Sequence, residues 1–316
     1  MAGGTRVIAL EEHYWDSELK NHLKGVDVAG PPHVAPRMVD FDLRLKEMDE
    51  GGIDVQVLSQ AAPSVQKMDA ETAVPMARRI NDRLAEIVKA HPTRFAGFAA
   101  LPTADPKASA DELERCITKL GFKGAMVHGL TNGHFIDEKQ FWPIFERAEK
   151  LDVPIYLHPA VPDPTVIDRY YKEYAKEYPA ILSAGWGFGV ETGTAAVRMV
   201  LSGAFKQYPN LKMVLGHLGE GLPFLLHRLD ESFSRDGKVK FREAFAHHFW
   251  VTTSGNFSNP ALLCTMMELG IDRILFSVDY PFVNNKLGTE WMKTVPLCAE
   301  DREKVLHGNA EKLLKM

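Results

Sequence analysis

The stretch VIALEEH, residues 7–13, is a β-rich apolar run that ends on a carboxylate and an imidazole. Three further runs end in the same way: PIYLH at 154–158, KMVLGH at 212–217 and ILFSVD at 274–279. One scattered histidine means little, but four such endings on separate strands put metal-type ligands at one end of a sheet. In a parallel α/β barrel the active site lies at the C-terminal ends of the strands and on the loops that follow them. The four endings therefore point to a metal-dependent barrel enzyme.

Outward from these runs, short apolar segments alternate with helical ones. Eight strands are expected, at 7–13, 55–60, 95–101, 124–129, 154–158, 211–217, 249–254 and 274–279. Helices are expected among them over 70–90, 108–120, 137–151, 192–208, 223–234, 260–269 and 299–314. Regular β-then-α alternation predicts a parallel sheet, and strands buried on both faces read as the continuous apolar runs seen here. No GxGxxG follows the first strand, which weighs against an open dinucleotide-binding sheet. The expected fold is α/β, a (β/α)8 TIM barrel forming a single domain over 1–316. Two stretches break the alternation: 14–42 after the first strand, with PPHVAP, and 160–190 after the fifth. Both follow ligand-bearing strands, so they are expected as irregular insertions that wall the pocket or decorate the surface.

The 316 residues are 45% hydrophobic and 25% charged, an ordinary globular composition. A net charge of -5 without a long basic run leaves no electrostatic footprint for nucleic acid. No apolar run approaches the roughly 20 residues needed to span a bilayer, and the N-terminus lacks the apolar core of a signal peptide. Cys116, Cys264 and Cys298 are odd in number and widely spaced, so free thiols in a reducing cytoplasm are expected.

Glu11 and His13 stand two apart on a strand, so their side chains share one face, the barrel interior, and Glu12 between them must point outward. A carboxylate and an imidazole on one face can bind Zn²⁺ or Mn²⁺; alone they are also simply a strand-end charge pair. His158 ends a strand that Pro159 closes, and reads as a ligand or as a satisfied core histidine. His217 sits in LGHLGEGLPF with Glu220 three residues on, close enough to orient its ring. His217 is thus a ligand or a proton donor and acceptor. Asp279, ahead of Tyr280-Pro281, can bind metal, transfer a proton or cap a helix. Arg228 in FLLHRLDE can grip a carboxylate by two parallel hydrogen bonds, or pair with Asp230 or Glu231. His128 ends the fourth strand before Gly129 and would face the same pocket, with a hydrogen bond to substrate as its expected role.

Taken in order, ALEEH at 9–13, YLHP at 156–159, GFGVETG at 187–193, LGHLGEGLPF at 215–224, HRLD at 227–230, TTSGNF at 252–257 and ILFSVDYPF at 274–282 resemble the metal-dependent amidohydrolase superfamily. The closer likeness is to its decarboxylase branch, which includes γ-resorcylate, 2,3-dihydroxybenzoate, 5-carboxyvanillate and aminocarboxymuconate-semialdehyde decarboxylases. The resemblance runs almost end to end. It implies one divalent ion, Mn²⁺ or Zn²⁺, held by Glu11, His13, His158 and Asp279, with His217 at or beside it, Glu220 behind, and Arg228 at the substrate. Glu-x-His in place of His-x-His is the form seen in the hydroxybenzoate decarboxylases. The fourth strand, GAMVHG, has no lysine near its end, which implies a mononuclear site.

The activity implied is nonoxidative decarboxylation of a small ortho-hydroxy aromatic carboxylate, reversible at high bicarbonate. Asp279 is the candidate acid, with His217 and Glu220 holding or shuttling the proton. His128 stands where γ-resorcylate-type enzymes have asparagine, and Val278 where they have threonine or methionine; both bear on the substrate more than on the chemistry. Two other readings remain: a metal-dependent hydrolase or hydratase of a lactone or unsaturated acid, and a catalytically inactive barrel that binds a partner. A homodimer or homotetramer is expected on base rates.

Overall fold

In the computed structural model, residues 5–22 and 32–316 are described. The strands are β1 (Ile8–Tyr14), β2 (Val55–Gln60), β3 (Phe95–Gly97), β4 (Ala99–Ala100), β5 (Ala125–His128), β6 (Pro154–His158), β7 (Lys212–Leu215), β8 (Phe249–Thr252) and β9 (Ile274–Leu275). Every paired strand is parallel to its neighbour, in the orders β1-β2-β3 and β4-β5-β6-β7-β8-β9. Only Phe98 separates β3 from β4. Its N–H donates to Leu58 O at 2.9 Å, and Ala99 N–H donates to Gly124 O at 2.9 Å, so the two pieces fill one barrel position. The ring closes where His13 N–H donates to Tyr280 O at 2.7 Å beside a parallel Glu12–Tyr280 bridge. The fold is the expected TIM barrel.

Period-two alternation sorts the core into two layers. Ile8, Leu10, Val55, Val57, Met126, Tyr156, Val214 and Leu275 fill the interior, closed by Leu313 and Leu314 of the last helix. Val7, Ala9, Val127, Ile155, Leu157, Met213, Leu215 and Val251 pack outward against the helices. The same alternation carries His128 and His158 into the interior at the C-terminal ends of β5 and β6. On β1 the phase changes. Ala9 pairs with Gln56 and Glu12 with Leu58, a bulge that sets three steps against two. It lets Glu11 and His13 face inward although Leu10 also does.

Most expected helices form near their expected bounds: Ala70–Ala90, Pro106–Leu120, Trp142–Leu151, Gly187–Leu201, Leu222–Phe233 and Asn259–Leu269. The expected last helix contains a π turn, Lys304–Gly308. Three helices, Phe41–Gly51, Phe241–His248 and Asn285–Thr294, were not anticipated. Phe41–Gly51 buries Arg44 and Gly51 beside Met48, so it carries no clean apolar stripe. The insertions are less irregular than expected. After β1, Val34–Val39 is helical, and the part at 23–31 lies outside the described residues. After β6, residues 164–175 form consecutive helical turns, begun by Asp163, whose side chain accepts from Thr165 N–H.

Candidate metal centre and active site

Glu11, His13 and His158 end inward-facing runs, and Asp279 follows the two-residue strand β9 at φ +70°. One ligand atom from each of these four lies within 4.8 Å of all the others. His158 Nε2 is 3.2 Å from Glu11 Oε1, and His13 Nε2 is 3.3 Å from Asp279 Oδ1. His217 Nε2 lies 4.0 Å from Glu11 Oε1 and 3.9 Å from Asp279 Oδ2. Each imidazole is tied back through its other nitrogen. His13 Nδ1 meets Ser59 Oγ at 3.1 Å, His158 Nδ1 donates to Pro159 O at 2.7 Å, and His217 Nδ1 meets Glu220 Oε1 at 2.7 Å. All three Nε2 atoms therefore point at one region, the arrangement by which outer partners orient metal-binding histidines.

The donor set fits a divalent ion. Glu11 Oε1 and His13 Nε2 are buried and have no hydrogen-bond partner. Glu11 Oε2, by contrast, accepts from the Tyr156 and Ser254 hydroxyls and from Thr252 Oγ1 at 3.4 Å. One oxygen is saturated and the other is free for metal. Gly216 makes room for this carboxylate: a Cβ there would come within 2.7 Å of Glu11 Oε2. Burial alone would raise the Glu11 carboxyl, but the charge of His217, the close approach of His158 and the charge of His13 hold it below the usual carboxylate range. Burial and neighbouring His158 push the His13 imidazole down, toward the neutral form that a metal ligand needs. Burial and the Glu11 charge push the Tyr156 phenol up, so it stays a donor.

His217 opens a turn in which His217, Leu218, Gly219 and Glu220 all have positive φ. Burial opposes a proton on its ring, yet the charges of Glu220 and Glu11, nearby Asp279 and the hydrogen bond to Glu220 raise it well above the ordinary range. Asp279 caps no helix; its carbonyl accepts from Phe282 and Val283 N–H, and its side chain turns toward His13.

The amidohydrolase family profile matches residues 11–316. The chain belongs to the amidohydrolase family. Among the relatives of this amidohydrolase is γ-resorcylate decarboxylase of Polaromonas sp., 42% identical over 98% of each chain. A solved dihydroxybenzoic acid decarboxylase from Polaromonas sp., with bound manganese and the inhibitor 2-nitroresorcinol, superposes with a TM-score of 0.89 at 41% identity, covering 99% of this chain and 97% of that one. The 5-carboxyvanillate decarboxylase of Sphingomonas paucimobilis superposes with a TM-score of 0.91 at 36% identity, covering 99% and 100%.

Two expected residues of this amidohydrolase sit apart from the donor set. His128 is buried, with Nδ1 3.0 Å from His158 Nδ1 and a second hydrogen bond to the Gln60 backbone. Its visible partner is a ligand histidine rather than open pocket. Arg228 is exposed on Leu222–Phe233 and forms no ion pair with Asp230 or Glu231. Several working residues escaped sequence reasoning: Ser59, Tyr156, Thr252, Ser254 and Glu12. Tyr156 and Ser254 lie inside quoted motifs, YLHP and TTSGNF, and their interior phase was the available signal. Glu12 turns from the pocket as expected but is wholly buried. Burial pushes its carboxyl up, while hydrogen bonds from Val278 and Ser277 and the Arg44 charge favour the carboxylate.

Proposed function

We propose that the protein is a metal-dependent, nonoxidative decarboxylase of an ortho-hydroxybenzoate, releasing CO₂ and a phenol. The observation that carries this reading is the convergence of Glu11 Oε1, the Nε2 atoms of His13, His158 and His217, and Asp279 on one region. The likeness to decarboxylases of dihydroxybenzoate and carboxyvanillate supports it. Glu11, His13, His158 and Asp279 would hold the ion, Mn²⁺ by the example of the manganese-bound relative. When bound, it supplies positive charge that a carboxylate and its ortho oxygen can share.

The chain's own residues handle the ring and the proton. Phe282 sets its ring 5.9 Å from that of His13, an aromatic wall beside the donor set. Direct loss of CO₂ would leave a carbanion on the ring. Asp279 avoids this by giving its proton to the carbon that bears the carboxylate, which turns the ring into a dienone. The C–C bond then breaks, its electron pair restores aromaticity, and CO₂ departs. His217, held by Glu220, returns a proton to Asp279. Arg228 and His128 are assigned to the substrate, Arg228 by likeness and His128 by its place at the C-terminal end of β5 beside His158. An Asp279→Asn enzyme should lose turnover by at least about a hundredfold while still binding a nitro-substituted substrate analogue, as checked by kinetics and calorimetric titration.

We further propose that the chain assembles with copies of itself. Phe224 (82% exposed) and Met267 (83% exposed) present large apolar side chains on two neighbouring helices. Light scattering of the purified protein tests this. The function is tested by a screen of Mn²⁺- and Zn²⁺-loaded enzyme against ortho-hydroxybenzoates, 5-carboxyvanillate and lactones. Metal-dependent CO₂ release from one hydroxybenzoate supports the proposal. Silence on every carboxylate with hydrolysis of a lactone replaces it with a hydrolase in which Asp279 is the base.

A further inference from the structure

β1 carries a second carboxylate between its two ligand positions. Glu12 is fully buried and lies outside the donor set. Its Oε1 accepts from Ser277 Oγ at 2.8 Å and Val278 N–H at 2.9 Å. Its Oε2 accepts from Tyr280 N–H at 3.1 Å and Gln56 Nε2 at 3.3 Å. Val278 and Tyr280 are the two neighbours of Asp279 in the chain. Asp279 itself stands at φ +70°, a conformation that a residue with a Cβ keeps only when its surroundings impose it. β9 stops at Leu275, and past it the backbone pairing with β1 is the single Glu12–Tyr280 bridge, with His13 N–H donating to Tyr280 O.

The clamp reaches the other ligands as well. Ser277 Oγ, which donates to Glu12, accepts from Glu11 N–H at 2.6 Å. Arg44, buried behind Glu12, donates to Gln56 Oε1 at 3.0 Å and to the His13 carbonyl, and its guanidinium lies 4.5 Å from the Tyr280 ring centroid. One carboxylate thus sits at the barrel seam with hydrogen bonds to the backbone on both sides of Asp279, and through Ser277 to the backbone of Glu11.

We propose that Glu12 is a positioning residue: its carboxylate clamps the main chain around Asp279 and holds that side chain where the metal and the substrate ring need it. The proposal rests on Asp279 being a ligand and the proton donor. The chemistry requires a carboxylate. Both oxygens accept two donors each, whereas a glutamine of the same size would turn its NH₂ toward one of these pairs and leave those donors unpaired.

The test compares Glu12→Gln with the milder Ser277→Ala in the full-length, Mn²⁺-loaded enzyme. Readouts are kcat and KM by CO₂ release, Mn²⁺ affinity by equilibrium dialysis, and the folded fraction by circular dichroism. In Glu12→Gln, kcat at saturating Mn²⁺ and substrate should fall about a hundredfold, the effect of a displacement on the order of 1 Å at a reacting group. KM should stay within about threefold, and Mn²⁺ affinity should fall about tenfold, as for other residues that orient ligands. Ser277→Ala should fall between parent and Glu12→Gln on both measures. Parent-like kcat and Mn²⁺ affinity in folded Glu12→Gln overturns the proposal, as does a loss of activity that tracks only the loss of folded protein. Should Glu12→Gln not fold, parent-like Ser277→Ala overturns it. Mn²⁺ affinity needs no substrate, so the clamp is judged even if the parent turns over no hydroxybenzoate.

Discussion

Glu11 shows how much of a metal site lies in groups that never touch the metal. The Tyr156 and Ser254 hydroxyls occupy one of its oxygens and leave the other free, which favours single-oxygen coordination. Removing one of them should loosen the ion without unfolding the barrel. Tyr156→Phe is expected to weaken Mn²⁺ binding about 10–100-fold, read by equilibrium dialysis. Glu191, on the helix after the second insertion, is a different case. Its Oε1 is buried without a partner, and burial pushes its carboxyl from 4.5 up to about 7. The folded chain keeps this proton where the unfolded chain has lost it. Folding stability is therefore lost as pH rises from 4.5 to about 7, and the loss is complete above that. Glu191→Gln should be more stable than the parent above pH 7, by on the order of 2–3 kcal/mol. The gain should shrink as pH falls and vanish near 4.5, as followed by urea unfolding across pH.

At the scale of elements, several helices begin on side-chain caps. Pro106–Leu120 has Asp105 as N-cap, whose carboxylate accepts from Ala108 N–H at 3.0 Å, with proline in the first turn and Gly121 in the left-handed region at its end. These are strong start and stop signals, and the sequence alone placed this helix within two residues. Asp105→Ala should cost about 1 kcal/mol, measured by urea denaturation, and leave Mn²⁺ affinity unchanged because the cap lies outside the donor set. Caps alone were not enough: Phe41–Gly51 also has Asp40 accepting from Leu43 N–H at 2.9 Å and Gly52 in the left-handed region at its end, yet it was missed. Phe41–Gly51 turns Arg44 inward to serve the network around Glu12, and its apolar period is broken for that reason.

For the whole molecule, the barrel gathers a carboxylate, three imidazoles and an aspartate whose chain positions span 11–279. Glu11 and His13 are fully buried, with ligand atoms that no protein group satisfies. Binding of an ion to the folded chain alone should therefore stabilise it, by about 2.7 kcal/mol at a hundredfold excess over its dissociation constant. Chelation should lower the melting temperature by several degrees, and Mn²⁺ should restore it in a concentration-dependent way, as read by differential scanning fluorimetry. No helix among the described residues is long and apolar enough to cross a membrane.

The sequence by itself determined the barrel, because strands buried on both faces and capped helices write their periods locally. It also marked Glu11, His13, His158, His217 and Asp279, because ligands at the ends of apolar runs can only gather at one mouth. Three things were decided by the tertiary structure. The β1 bulge that turns Glu11 and His13 inward exists only in register with β2. The role of Glu12 depends on the backbone of Ser277–Tyr280, more than 260 residues away along the chain. The neighbours of His128 depend on β5 lying beside β6. Each is a contact between segments remote in sequence, and no local period records such a contact.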